Sequence, residues 1–163
     1  LCCSRMTYYQ RENRELVTLS GCEIVNSPFS LAGDYASVLT LDFMAEVAEA
    51  LLPPASADDR FYRLILSVMS HLESQTAGAI WRSLPYFAFW AVKLSGFLPE
   101  LRVSEDSISL AKEMANRPVE AVRPGPWGKG ANADLRRFLI HEIEMHAEKR
   151  LLTAPLVEAL PDS

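Results

Sequence analysis

His141, Glu142 and His146 are the residues that come nearest to a metal-binding set in this chain. In the zinc motif H-E-x-x-H the histidines are four residues apart on one helix face, so that both imidazoles can reach one ion. Here the histidines are five residues apart, which separates them by about 140° around a helix. They cannot share a metal ion from one face, and a partly buried pair of Glu142 and His146 is the preferred interpretation.

The segment that carries these residues, 135–151, has the pattern of an amphipathic packing helix. Apolar residues recur at three- and four-residue steps, and the opposite side is polar. The apolar positions are Leu135, Phe138, Leu139, Ile143 and Ala147. The pattern therefore predicts a helix that packs against a core.

Other catalytic or cofactor-binding patterns are absent from the sequence. Cys2, Cys3 and Cys22 form neither a C-x-x-C pair nor an even framework, which favours reduced thiols in a cytoplasmic protein. The segment 123–132 contains glycines and Lys129 but lacks the spacing of a phosphate-binding loop, so it predicts a surface loop. No local nucleophile and base are visible. We expect no enzymatic activity, no cofactor and no bound metal.

Length and charge set limits on the class of protein. A chain of 163 residues with 49% hydrophobic content fits one compact domain, or one domain and a fragment of another. No apolar run is long enough to span a membrane. The net charge of −5 argues against nucleic-acid binding by the whole surface, so such binding requires a local patch. The chain begins at Leu1 rather than at a methionine, and truncation is favoured over processing.

The pattern of the chain changes near residue 30. Before it, RMTYYQ and ELVTLSGCEIV have strand composition, and RENR (11–14) lies between them as a turn, which predicts a hairpin. A lone hairpin is marginally stable in water, so a larger sheet is expected. After residue 30 the sequence predicts a mainly α fold, a helical bundle from about residue 34 to 160.

The helix boundaries follow from capping and breaking residues. Asp58 or Asp59 is expected to cap the second helix, and a short helix from Ser107 should end before Pro118. Asn132 or Asp134 is expected to cap the last long helix. The tail allows one more short helical turn.

The segment 79–95 is almost continuously apolar and should be the most buried helix of the bundle. Its aromatic residues are Trp81, Tyr86, Phe87, Phe89 and Trp90. Pro85 should kink this helix or mark its true start, and Gly96 is a natural C-terminal stop.

The hairpin carries a candidate surface for single-stranded nucleic acid. Arg5, Arg11 and Arg14 surround two aromatic residues, Tyr8 and Tyr9. Arginines bind phosphates while aromatic rings stack on bases, so this composition suits a single strand. The alternative is an ordinary strand with charged turn residues.

Cations flank the predicted helix 135–151. Arg136 and Arg137 lie near its start, and Lys149 and Arg150 lie at its end. An exposed cationic rim beside apolar residues suits an acidic peptide that ends in a hydrophobic anchor. The alternative is a solvated face with cations matched to the helix dipole.

Several segments together resemble one known family. GFLPEL (96–101) and LRRFLIHEIEMHAEKRL (135–151) resemble the bacterial RecO family of DNA repair proteins. FMAEVAEALLPP and DDRFYRLILSVMSHL are similar to its first bundle helices, and RENRELVTLSGCEIVNSPF is similar to the closing strands of its OB-fold. The resemblance implies that residues 1–30 are the C-terminal strands of a truncated OB-fold, and that residues 31–163 are a RecO-like helical domain.

The chain departs from the family pattern in two respects. The family has a full OB-fold before this point, whereas only its end is expected here. Many members carry a four-cysteine zinc finger after the GFLPEL-type turn, but residues 102–106 contain no cysteine. The resemblance therefore implies a member without zinc.

The resemblance implies a recombination mediator in the bacterial cytoplasm, associated with the nucleoid and without enzymatic activity. Its expected partners are single-stranded DNA, the acidic C-terminal tail of the single-strand-binding protein SSB, and RecR, with which it would anneal strands and load RecA. Lys93 becomes a further candidate for contact with the SSB tail. The alternative is a helical protein-interaction or ligand-sensing module of a transcription regulator.

Overall fold

The computed structural model describes residues 1–12, 16–54, 57–74, 80–123 and 130–160. A β-hairpin precedes a bundle of helices, which confirms the predicted mainly α fold. The elements are β1 (Cys3–Tyr9), β2 (Thr18–Asn26), α1 (Tyr35–Leu51), α2 (Asp59–Ser74), α3 (Ile80–Leu94), α4 (Glu105–Asn116), α5 (Ala131–Ala147) and α6 (Ala154–Glu158), with short 3-10 turns at Pro28–Gly33 and Val119–Ala121. No helix in the described ranges has the length and apolar character to cross a membrane.

Helix α3 is the centre of the bundle, as its sequence predicts. It packs against α1, α2, α4 and α5, and nine of its fifteen residues are buried. The ring of Phe87 meets those of Phe43 and Phe61 edge-on, with centroid separations of 6.3 Å and 5.9 Å. Trp81 and Trp90 lie at the margin of this core and are half-buried. Over its described part, residues 80–95, the prediction that this is the most buried helix of the bundle is confirmed.

The ends of α3 follow from its proline and glycine. Pro85 lies inside the helix and does not mark its start, which is at Ile80. Gly96 has a φ of 81°, and the N–H of Phe97 donates to the carbonyl of Val92 at 3.4 Å. This left-handed glycine ends the helix in the expected way, because a side chain is rarely tolerated at such a φ.

One predicted cap is confirmed and another is wrong. Asp58 caps α2, because its carboxylate accepts the backbone N–H of Phe61 at 2.9 Å. Helix α5 begins after the left-handed Gly130, so that Asn132 and Asp134 lie inside it. The carboxylate of Asp134 instead accepts the N–H of Ser104, and this bond is the main reason that the Asp134 pKa is lowered. Asp134 therefore ties α5 to the start of α4.

The C-terminal segment is fixed to α1 by one carboxylate. Glu46 accepts the backbone N–H of Leu152 at 2.7 Å, and both the N–H and the hydroxyl of Thr153 at 2.9 and 2.7 Å. Burial raises the pKa of Glu46, but these hydrogen bonds outweigh it and hold the pKa below the ordinary value of 4.5. The contact joins α1 to the N-terminus of α6, whose Ala154 and Val157 are buried.

The substitution Phe87→Ala should lower the free energy of unfolding by about 3–5 kcal/mol, because it leaves a cavity between α1, α2 and α3. Phe29→Ala is the matched control, since Phe29 is 81% exposed and its loss should change stability by less than about 0.5 kcal/mol. Urea denaturation, monitored by circular dichroism, measures the free energy of unfolding of both variants. Equal losses in the two variants would contradict the central position of Phe87.

The contribution of Glu46 should depend on pH. Its folded-state pKa lies below the unfolded value, so its hydrogen bonds contribute fully above pH 4.5 and are lost as pH falls through the folded pKa. Glu46→Gln should therefore cost about 1 kcal/mol at pH 7 and progressively less in acid. Glu49→Gln, on the exposed side of α1, should cost little at either pH. A loss of stability in Glu46→Gln that grows in acid would show that the pKa of Glu46 is shifted in the opposite direction.

Candidate functional site

A surface groove of about 310 Å³ lies at the end of α5. It is lined by His141, Glu144, Met145, Glu148, Lys149 and Arg150. Met145 supplies an apolar surface that is 64% exposed, and the side chains of Lys149 and Arg150 are open to solvent. The groove therefore combines an apolar residue with two cations, and two of the five predicted partner-binding residues meet there.

The groove depends on how α5 ends. The helix stops at Ala147, earlier than the predicted 151, because Glu148 has a left-handed backbone with φ 50° and ψ 30°. The N–H of Lys149 then donates to the carbonyl of Glu144 at 3.2 Å. This conformation costs a residue with a side chain about 1–2 kcal/mol, so it must be held by neighbouring contacts. It turns Lys149 and Arg150 away from the helix axis.

A second set of contacts comes from the Glu144 side chain. Its carboxylate accepts the N–H of Leu151 at 2.9 Å and lies 3.8 Å from Nη1 of Arg150. The Glu144 side chain is only 15% exposed, whereas that of Arg150 is 93% exposed. Glu144 thus faces the backbone of the turn that follows α5, and it leaves most of the Arg150 guanidinium open to a partner.

Arg136 and Arg137 have different environments. Arg136 is 3% exposed, and its Nη2 donates to the carbonyl of Glu158 at 3.5 Å. The expectation that Arg136 lies on an exposed rim is therefore wrong, because this residue lies on the side of α5 that α6 covers. Arg137 is exposed and lies one helical turn before His141, on the face that leads to the groove.

Lys93 lies apart from the groove-lining residues. It is exposed on α3, with Nζ 4.5 Å from the ring centroid of Trp90 and 5.7 Å from that of Phe89. These distances are those of a cation–π interaction. Lys93 is accessible, but nothing in the groove brings it together with Lys149.

The two histidines of α5 do not form a shared site. The ring of His146 stacks on that of Phe97, with centroids 3.8 Å apart and an interplanar angle of 4°. His146 is exposed, so the expected burial of its pair with Glu142 is wrong for the histidine. The stacking with Phe97, at the end of α3, was not visible in the helical pattern. Within the described ranges, no group of three or more His, Cys, Asp or Glu residues could hold a metal ion.

The two faces of the hairpin differ in character. Arg5 pairs with Glu23 at 3.0 Å on one face, and Tyr9 lies on that face opposite Thr18. Tyr8 lies opposite Leu19 on the other face. That second face is apolar; its residues include Met6, Tyr8, Leu19, Cys22 and Ile24.

The predicted DNA-binding residues are therefore divided. Arg5 and Tyr9 share the polar face, whereas Tyr8, 58% exposed, belongs to the apolar face. Arg11 is exposed beyond the end of β1. Arg14, like Lys129, lies outside the described residues.

Polar contacts connect the base of the hairpin to α2. The Sγ of Cys3 lies 3.1 Å from the hydroxyl of Tyr62, and the amide of Asn26 donates to Glu73 at 3.2 Å. Cys3 and Asn26 are directly opposite each other on the polar face. The apolar face is consequently open, as shown by exposures of 60% for Met6 and 67% for Ile24.

Comparison with known proteins identifies the family. The model of the family described as "Recombination protein O C terminal" matches residues 32–107, from the 3-10 turn after the hairpin into α4. The DNA repair protein RecO of Koribacter versatilis (strain Ellin345) is 33% identical over 190 residues, which cover 96% of this chain and 77% of that protein. No solved structure matches. Because the similarity to RecO extends over hairpin and bundle alike, the chain belongs to the RecO family of DNA repair proteins.

Proposed function

We propose that this chain is a recombination mediator that acts without a catalytic centre, in the bacterial cytoplasm and in association with the nucleoid. In this proposal the helical domain binds the acidic C-terminal tail of SSB, and the β-domain contacts single-stranded DNA. RecR is the further partner with which it would anneal strands and assist the loading of RecA. The observation that carries the proposal is the groove at the end of α5, together with membership of the RecO family.

The chemistry of the groove suits an acidic peptide with a hydrophobic end. Lys149 and Arg150 can donate charge-assisted hydrogen bonds to carboxylates, and Met145 offers an adaptable apolar surface for a terminal ring. Leu152, 82% exposed in the adjoining turn, can extend this apolar surface. Arg137 lies on the same helix face and could contact carboxylates further along the peptide.

The groove is not uniformly positive. Glu144 and Glu148 line it together with Lys149 and Arg150, so the lining has no large net charge. Recognition must therefore come from the positions of the cations. The inward orientation of Glu144 supports this, because its carboxylate is occupied by Leu151 and partly by Arg150.

The paired substitution Lys149→Glu, Arg150→Glu should weaken binding of an acidic peptide with a C-terminal aromatic residue by about tenfold or more. Each exposed cation contributes on the order of 1 kcal/mol or less, and charge reversal adds repulsion. Fluorescence anisotropy with a labelled peptide measures the affinity. Arg102→Glu, Lys112→Glu is the control, because both residues are exposed and neither lines the groove. Equal affinity of both double variants would reject the groove as the site.

The apolar face of the hairpin supports the part of the proposal that concerns the β-domain and single-stranded DNA. Residues 1–30 would be the closing strands of an OB-fold, whose remaining strands would cover Met6, Leu19 and Ile24. Arg5 and Tyr9 on the opposite face, together with Arg11 and with Arg14 of the predicted turn 11–14, would contact single-stranded DNA. Residues 31–163 would be the helical domain. The ion pair of Arg5 with Glu23 would have to open for a phosphate to bind Arg5.

Arg11→Glu, Arg14→Glu should lower the affinity of a version with a complete OB-fold for single-stranded DNA. Loss of two phosphate contacts should also reduce the slope of log affinity against log salt by about 1.4. Titration of a labelled oligonucleotide at several salt concentrations measures both quantities. Arg60→Glu, Arg63→Glu on α2 is a control with the same change of charge. An unchanged affinity and slope in the hairpin variant would show that the hairpin is not the contact.

A further inference from the structure

We propose that Glu46, which lies on α1 and does not line the groove, is a positioning residue for partner binding. Together with Glu144 it holds the turn 149–153 in one conformation, so that Lys149 and Arg150 are presented in fixed places. The inference rests on the proposed function of the groove. It adds to that function a residue of α1, a helix with no residue among those that line the groove.

Three consecutive backbone N–H groups of the turn donate to carboxylates. Leu151 donates to Glu144 at 2.9 Å, while Leu152 and Thr153 donate to the two oxygens of Glu46 at 2.7 and 2.9 Å. The Thr153 hydroxyl adds a fourth bond, to Glu46, at 2.7 Å. Hydrogen bonds to an ionised carboxylate are roughly twice as strong as neutral ones. These backbone N–H groups lie between α5 and α6, outside both helices. Side chains from α1 and α5 accept their hydrogen bonds.

The conformation of the turn needs this support. Glu148 has a left-handed backbone, where glycine or asparagine is usual, and Leu152 is 82% exposed. Leu151, which is 3% exposed, holds one point of the turn by its burial, but the exposed Leu152 side chain does not fix the residues that follow. The carboxylates hold its backbone, and a binding surface that is already ordered avoids part of the entropy cost of association.

Charge and geometry make opposite predictions for Glu46. The Glu46 carboxylate and Lys149 attract each other, so Glu46 reduces the positive field at the groove. If only this field mattered, neutralising Glu46 would strengthen the binding of an acidic peptide. If Glu46 holds the turn, neutralising it weakens binding, because Lys149 and Arg150 lose their fixed positions.

The test compares three single variants by anisotropy with an acidic peptide that ends in an aromatic residue. Glu46→Gln should weaken binding by about three- to tenfold. Glu46→Asp keeps the charge but is one methylene shorter, so it should also weaken binding. Glu49→Gln is the matched control, because it removes the same charge from an exposed position on α1 and should leave affinity equal or slightly higher.

Hydrogen exchange gives an independent result. The amides of Leu152 and Thr153 should exchange faster in Glu46→Gln than in the wild type, while buried amides of α3 keep their protection. Peptide binding by Glu46→Gln that equals or exceeds that of the wild type would overturn the positioning role. If that occurs while Lys149→Glu, Arg150→Glu still weakens binding by about tenfold or more, the proposed groove function stands. If the double variant binds like the wild type, the groove function fails and the inference fails with it.

Discussion

The burial of α3 is the constraint on which the rest of the structure depends. This helix is apolar on almost every side, so it is stable only when other helices surround it, and α1, α2, α4 and α5 all pack against it. Phe87 lies at the centre, in contact with Phe43 and Phe61. Each surrounding helix turns its apolar side inwards and leaves a polar side for solvent. The outer side of α5, with Arg137, His141 and Met145, is thereby placed at the surface where a partner can reach it.

Local sequence patterns predicted the parts of the fold that depend on neighbours along the chain. The apolar run of α3, the Asp58 cap, the Gly96 stop and the hairpin all follow from residues a few positions apart. The patterns failed where a residue contacts another that is distant in the sequence. Asp134 looked like a cap of its own helix but accepts a bond from Ser104, thirty residues earlier. Arg136 looked exposed on its own helix, because the pattern of one helix does not show that α6 covers it.

The candidate groove was predictable only in part. Lys149 and Arg150 could be recognised as cations near a helix end, but the groove requires the left-handed turn at Glu148, and glycine or asparagine is expected there. Glu46 could not be found from the sequence, because it is more than one hundred positions from Leu152 and belongs to an ordinary amphipathic helix. The site is built by long-range polar contacts on a scaffold that short-range apolar patterns define.

The most direct measurement is an NMR titration of the isotopically labelled chain with an acidic peptide that ends in an aromatic residue. Binding in a preformed groove predicts saturable shifts of the amides of His141, Met145 and residues 148–153, with small changes elsewhere in the bundle. Salt should weaken these shifts, because they depend on Lys149 and Arg150. Shifts confined to the hairpin or to α3, with the amides of 148–153 unchanged at saturation, would contradict a partner site at the end of α5.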